Sequence, residues 1–101
     1  MILTRKIVNA SHAKATADSS TEHFKMENLR TTSIDSDAFT DLNELKYLQI
    51  HCPLLTEIFP AFFPSSLVIL DLSGNFELTA IRSFQGLVNL QELEICSNRS
   101  L

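Results

Sequence analysis

The 101-residue sequence contains no run of roughly 18 consecutive apolar residues, the length a membrane-spanning helix requires. Glu57, Pro60 and Pro64 interrupt its most apolar stretch, so this segment is not expected to insert into a membrane. Cysteine is scarce. Only Cys52 and Cys96 are present, and no C-x-x-C pair exists to build a zinc site. Positive charge is also scarce: eight Lys and Arg against twelve Asp and Glu leave a net charge of −4, with no broad cation field for gripping phosphates. Nucleic-acid binding is therefore disfavoured. Arg5 and Lys6 are not followed by the apolar core of about 7–15 residues that marks a secretory signal. Phosphate-loop and paired-carboxylate motifs are missing too, and no cofactor is implied. Domains usually span about 50–250 residues, so one domain is the maximum and a separate catalytic domain has no room.

Residues 1–20 are rich in Ala, Ser, Thr and Lys and show no hydrophobic periodicity. They read as a disordered or mispredicted extension, with a mitochondrial targeting peptide as the less favoured alternative because Arg5 is the one arginine within these twenty residues.

From Ile34 onward the chain repeats itself. "FTDLNELKYLQI" from Phe39 matches "FQGLVNLQELEI" from Phe84 without a gap, pairing Phe39 with Phe84, Leu42 with Leu87, Leu45 with Leu90, Leu48 with Leu93 and Ile50 with Ile95. Between them, "LVILDLSGNFELTAI" sets Leu67, Leu70, Leu72, Asn75, Leu78 and Ile81 on an L-x-x-L-x-L-x-x-N-x-x-L-x-x-I spacing. The first leucines of the three units, Leu45, Leu67 and Leu90, are 22 and 23 residues apart. This pattern resembles the leucine-rich repeat family, whose period is about 20–29 residues, and the resemblance covers residues 34–101.

The resemblance implies an α/β repeat solenoid: a right-handed coil with a short parallel β-sheet on its concave face and mostly loops or short helical turns on its convex face. Strands are expected near 46–50, 68–72 and 91–95. Alternation then turns Leu48, Ile50, Leu70, Leu72, Leu93 and Ile95 inward. A single coil cannot bury that face, so coils must stack into one apolar column. Residues 45–101 thus form three repeats, the last incomplete. Residues 21–44 form a degenerate leading repeat or cap, in which Phe24 and Met26 would match Leu48 and Ile50.

The family places an asparagine just after each strand, where an amide can satisfy backbone groups turned inward, and Asn75 and Asn98 occupy that place. In the first unit the matching position is Pro53, beside Cys52; "LTEI" at 55–58 aligns with "LTAI" at 78–81 only after a one-residue deletion. The blocks "IDSDAFTDL" and "IRSFQGL" resemble the "typical" subclass found mainly in the ectodomains of Toll-like receptors and small proteoglycans. Phe39 and Phe84 would then fill the space between strands and convex side. The middle unit, "IFPAFFPSSL", departs from the pattern, because Pro60 and Pro64 disfavour a helix.

Function then rests on the outward positions of the strands. Tyr47, Ile69 and Glu92 form one row, Gln49, Asp71 and Glu94 a second, and His51, Ser73 and Cys96 a third. Tyr47 beside Ile69 offers an aromatic-aliphatic anchor, and Asp71, Glu92 and Glu94 suit a basic segment of a protein ligand. A Cys–His dyad is disfavoured, since His51 and Cys96 lie two rungs, about 10 Å, apart. The same separation keeps Cys52 and Cys96 from forming a disulfide and makes them free thiols. His51 beside Asp71 reads as a solvated histidine rather than a pH-sensitive pair.

Two glycosylation sequons begin at Asn9 and Asn98. Asn9 is the accessible candidate, because Asn98 is expected to be buried in the asparagine ladder. The composite expectation is a protein-binding module, either a piece of a receptor-like extracellular protein or an intracellular scaffold or adaptor that recruits substrate to a catalytic partner. The repeat that stops mid-unit would leave an uncapped end through which the chain could self-associate.

Overall fold

The computed structural model describes residues 2–3, 21–27, 30–39, 41–60, 63–82 and 84–96. Asn9 and Asn98, the proposed glycosylation site and the second ladder asparagine, lie outside the described residues. The described strands are, in chain order, β1 (Ile2–Leu3), β2 (His23–Glu27), β3 (Ser33–Ile34), β4 (Tyr47–His51), β5 (Glu57–Ile58), β6 (Ile69–Asp71), β7 (Ala80–Ile81) and β8 (Glu92–Glu94). No α-helix occurs among the described residues, and the runs between the strands of the principal sheet are turns, loops and two-residue strands, with a 3-10 turn beginning at Pro60.

The principal sheet has the order β2-β4-β6-β8, and every pair in it is parallel. Parallel neighbours that follow one another in sequence need a full return of the chain between them, and here that return is one coil of a repeat solenoid. The register places Phe24, Leu48, Leu70 and Leu93 side by side on successive rungs. It also places Met26 opposite Ile50, so residues 23–27 supply a complete first rung.

Between strands the chain advances in steps of three. Leu42 donates its N–H to the Phe39 carbonyl, Leu45 to that of Leu42, Leu78 to that of Asn75, Leu87 to that of Phe84 and Leu90 to that of Leu87, at 3.1–3.4 Å. Each such turn brings an apolar residue back to the same side of the chain. The three-residue spacing of the leucines therefore arises from a succession of turns as well as from core burial. In the middle coil the prolines serve the same purpose: Phe63 donates to Pro60 O and Leu67 to Pro64 O.

Two further parallel sheets of two strands each accompany it. β5 pairs with β7, setting Ile58 against Ile81, and β1 pairs with β3, with β3 beside β5. Two residues of the segment read as a disordered extension, Ile2 and Leu3, are thus in a strand opposite Ser33 and Ile34.

The apolar column includes Phe24, Met26, Phe39, Leu42, Leu48, Ile50, Leu70 and Leu72, all buried. Phe39 is its hub, edge-on to Phe24 at 6.0 Å and to Phe63 at 5.7 Å between ring centroids. Phe63 supplies this ring in the coil whose sequence departed from the pattern.

The last rung departs from expectation. Leu93 and Ile95 continue the inward rows but remain 39 % and 42 % exposed, whereas Leu70 beside Leu93 is fully buried. Phe84, expected to pack like Phe39, is likewise exposed. Among the described residues these three have a neighbouring coil on the β6 side only.

Candidate functional site

Alternation on the principal sheet sends one set of side chains into the column and the other set to the outer face. Burial follows that alternation along β2 and β4, where Phe24, Met26, Leu48 and Ile50 are buried and the residues between them are not. The register then assembles rows on the outer face. His23, Tyr47, Ile69 and Glu92 form the first, and Lys25, Gln49, Asp71 and Glu94 the second. Glu27 faces His51 in a third row, and the Cys96 N–H donates to Ser73 Oγ at 3.1 Å just past the ends of β6 and β8. The eight face residues expected from the sequence therefore share one surface. His23, Lys25 and Glu27 extend it, and the same match of Phe24 and Met26 to Leu48 and Ile50 assigns them to that face.

The rows are joined by contacts across the strands. The His23 and Tyr47 rings stack at 4.5 Å with 24° between their planes. His23 Nε2 lies 3.0 Å from Gln49 Oε1, and Gln49 Nε2 donates to Asp71 Oδ2 at 3.4 Å. Asp71 Oδ1 in turn accepts the Ser73 backbone N–H at 2.9 Å. These bonds orient the Asp71 carboxylate before any partner arrives.

Charge on the face is divided. Lys25 pairs with Glu27 at 2.8 Å, both largely exposed, and such a pair contributes little stability. It does, however, leave Asp71, Glu92 and Glu94 together on the β6–β8 side. Desolvation pushes the Asp71 carboxyl up, but hydrogen bonds from the Ser73 backbone and side chain and from Gln49 hold it below its ordinary value. Glu94 moves the other way, raised first by its hydrogen bond with Glu92, then by desolvation and by repulsion from Asp71 and Glu92. Tyr47 feels the same cluster: desolvation and then Glu94, Asp71 and Glu92 raise its phenol. The face thus carries an aromatic stack on its first two rungs and a concentration of negative charge on its last two.

Between these regions lies a depression of ≈ 260 Å³ lined by Lys25, Glu27, Gln49, His51, Asp71 and Ser73, with Ile50 at its base. Gly74, at φ 80°, borders it; a Cβ there would sit 3.0 Å from the His51 ring, so the glycine provides both the turn and the room for the imidazole. His51 and Cys96 are two rungs apart in this register, and no group of three or more His, Cys, Asp or Glu able to hold a metal ion occurs among the described residues.

Beneath the face, Asn75 is fully buried and links two coils. Its Nδ2 donates to Leu72 O at 2.5 Å and to Ile50 O at 2.9 Å, and its Oδ1 accepts the Cys52 N–H at 2.7 Å. Cys52 rather than Pro53 stands in the equivalent place one coil earlier: Leu55 donates to Cys52 O as Leu78 donates to Asn75 O, and Ile58 pairs with Ile81. The one-residue deletion therefore falls between strand and turn, and Gly74 belongs to the longer turn. Cys52 is a buried free thiol and Cys96 an exposed one.

The family model described as leucine rich repeat matches residues 44–99, more than half of the chain. No curated protein and no solved structure matches it.

Proposed function

Because the chain belongs to the leucine-rich repeat family, whose modules generally bind proteins and are typically non-catalytic, we propose that it recognises a basic segment of a protein partner on the outer face of β2-β4-β6-β8. The observation that carries this reading is the division of the face: the His23–Tyr47 stack lies beside the Asp71, Glu92 and Glu94 carboxylates. This aromatic pair, an exposed His23 on a half-buried Tyr47, provides rigid apolar contact area at small entropic cost. The adjoining carboxylates steer a cationic segment and fix its register. Tyr47, Gln49, His51, Ile69, Asp71, Ser73, Glu92 and Glu94 are the residues assigned to this contact, with His23 and Lys25 at its border.

The fine repeat pattern supports placement in a receptor-like extracellular protein of the "typical" subclass. A second reading, an intracellular scaffold or adaptor, is favoured by Cys96: an exposed free thiol is best tolerated in a reducing compartment.

The experiment is affinity capture of partners followed by quantitative binding with Tyr47→Ala and Asp71→Lys. Both are expected to weaken capture without altering the far-UV circular dichroism. Unchanged binding by a folded double variant would overturn the assignment of the face.

A further inference from the structure

The depression on the outer face is lined from two adjacent rows of the register, Lys25, Gln49 and Asp71 in one and Glu27 and His51 in the next, with Ser73 just past β6. Its two carboxylates stand on β2 and β6, two rungs or roughly 10 Å apart, and they are held differently. Glu27 is paired with the Lys25 ammonium at 2.8 Å. Asp71 is bonded to neutral donors: the Ser73 N–H at 2.9 Å, the Ser73 hydroxyl, and Gln49 Nε2 at 3.4 Å. Those donors fix its orientation without cancelling its charge, and Glu94 adds a second carboxylate on the next rung. The Lys25 ammonium is stabilised first by Glu27 and more weakly by Asp71, which stands in the same row.

We propose that the Asp71 end of this depression receives one arginine side chain of the partner's basic segment, and that Lys25 is the chain's own competitor for that place. A carboxylate of fixed orientation suits the planar guanidinium fork, which sets two parallel N–H donors on it, whereas an ammonium meets it as a point charge. Room beside His51 depends on Gly74, where a Cβ would sit 3.0 Å from the imidazole ring. Charge decides against the opposite occupant: an anion drawn to Lys25 would meet Glu27 on that ammonium and Asp71 and Glu94 along the row. Lys25 opposes a guanidinium twice, by repelling it directly and by neutralising Glu27, so removing its charge acts in one direction. The proposal rests on the reading of the outer face as the recognition surface, and adds the chemistry of one partner residue and a residue of this chain that limits affinity.

The probe is a short end-capped peptide of alternating glycine and arginine, titrated into the full chain at neutral pH by fluorescence anisotropy and by amide NMR. Saturable binding is expected, with the Gln49, His51, Ser73 and Gly74 amides shifting most. Exchanging each arginine for citrulline, which keeps the shape and loses the charge, should weaken binding by about tenfold or more. Exchanging it for lysine should weaken binding by about threefold or more. On the protein side, Lys25→Met changes a largely exposed side chain and should tighten binding by about threefold or more. Arg82→Met removes the same charge from beside Glu57, outside the depression, and should leave affinity within about twofold. Equal binding of the arginine peptide and either exchanged peptide, shifts confined to residues outside the depression, or equal responses of Lys25→Met and Arg82→Met would each overturn the proposal. The peptide exchanges act on the unaltered chain, so they decide the matter even where a variant does not fold. Where these arms fail and Tyr47→Ala still weakens capture of the partner, the arginine site alone falls; where Tyr47→Ala has no effect either, the reading of the face falls with it.

Discussion

Replacing Asn75 with alanine tests the link between coils. The substitution removes an acceptor from the buried Cys52 N–H and a donor shared by the Ile50 and Leu72 carbonyls. A buried N–H left without a partner costs roughly 1–3 kcal/mol, and each carbonyl, having a second lone pair, roughly 1 kcal/mol. Water cannot readily replace the amide, because Asn75 and Cys52 are both fully buried beside Leu72 and Ile50. The expected loss is therefore about 3–5 kcal/mol, a large part of the 5–15 kcal/mol typical of a domain. At about 4–8 °C per kcal/mol for a domain of this size, Tm should fall by at least about 12 °C. The assay is thermal and urea unfolding followed by circular dichroism, with Asn89→Ala as control. Asn89 makes a similar bond between coils, Nδ2 to Ser65 O at 3.0 Å, but at the surface, where its loss should cost no more than about 1 kcal/mol. If the two alanine variants lost equal stability, burial of the Asn75 bonds would not be what makes them matter.

Thr31 is fully buried with no hydrogen-bond partner for its hydroxyl among the described residues, so Thr31→Val should stabilise the chain by about 1 kcal/mol in urea unfolding, and a loss of stability would show that the hydroxyl is satisfied. Leu70→Ala should cost about 2–5 kcal/mol, whereas Leu93→Ala on the neighbouring rung, already 39 % exposed, should cost less than half as much; equal losses would mean that the β8 end is covered in solution. Glu94 should titrate above an ordinary glutamate in carbon-detected NMR, and Glu92→Gln should bring it back down, since Glu92 is the first cause of the shift. Asp71 is shifted the opposite way: its folded value is depressed, so its contribution is present above the unfolded pKa and is lost as pH falls through the folded value. Asp71→Asn should accordingly flatten the acid limb of the stability profile, and an unchanged limb would count against the Ser73 and Gln49 bonds as its origin.

The apolar spacing alone identified the repeat, three strands near 46–50, 68–72 and 91–95, which the structure has at 47–51, 69–71 and 92–94, and the rows on their outer face. It could do so because strand alternation and the three-residue turns are local rules, and each leaves a period in the sequence. The match of Phe24 and Met26 to Leu48 and Ile50 carried the same information about β2. Local rules did not specify which residue would stand in for asparagine in a shortened turn. Cys52 takes that place because pairing of β5 with β7 aligns the coils beyond the deletion.

Nor did they reveal that Phe63 fills the ring position beside Phe39, or that Ile2 and Leu3 join a strand with Ser33 and Ile34. Those outcomes depend on which coil lies next to which, and that is decided in three dimensions. The same holds for Leu93 and Ile95. Their repeat positions are those of buried residues, yet they stay exposed, with a neighbouring coil on the β6 side alone among the described residues. A repeat pattern in sequence determines the direction in which a side chain points; only the stacking of coils determines whether anything covers it.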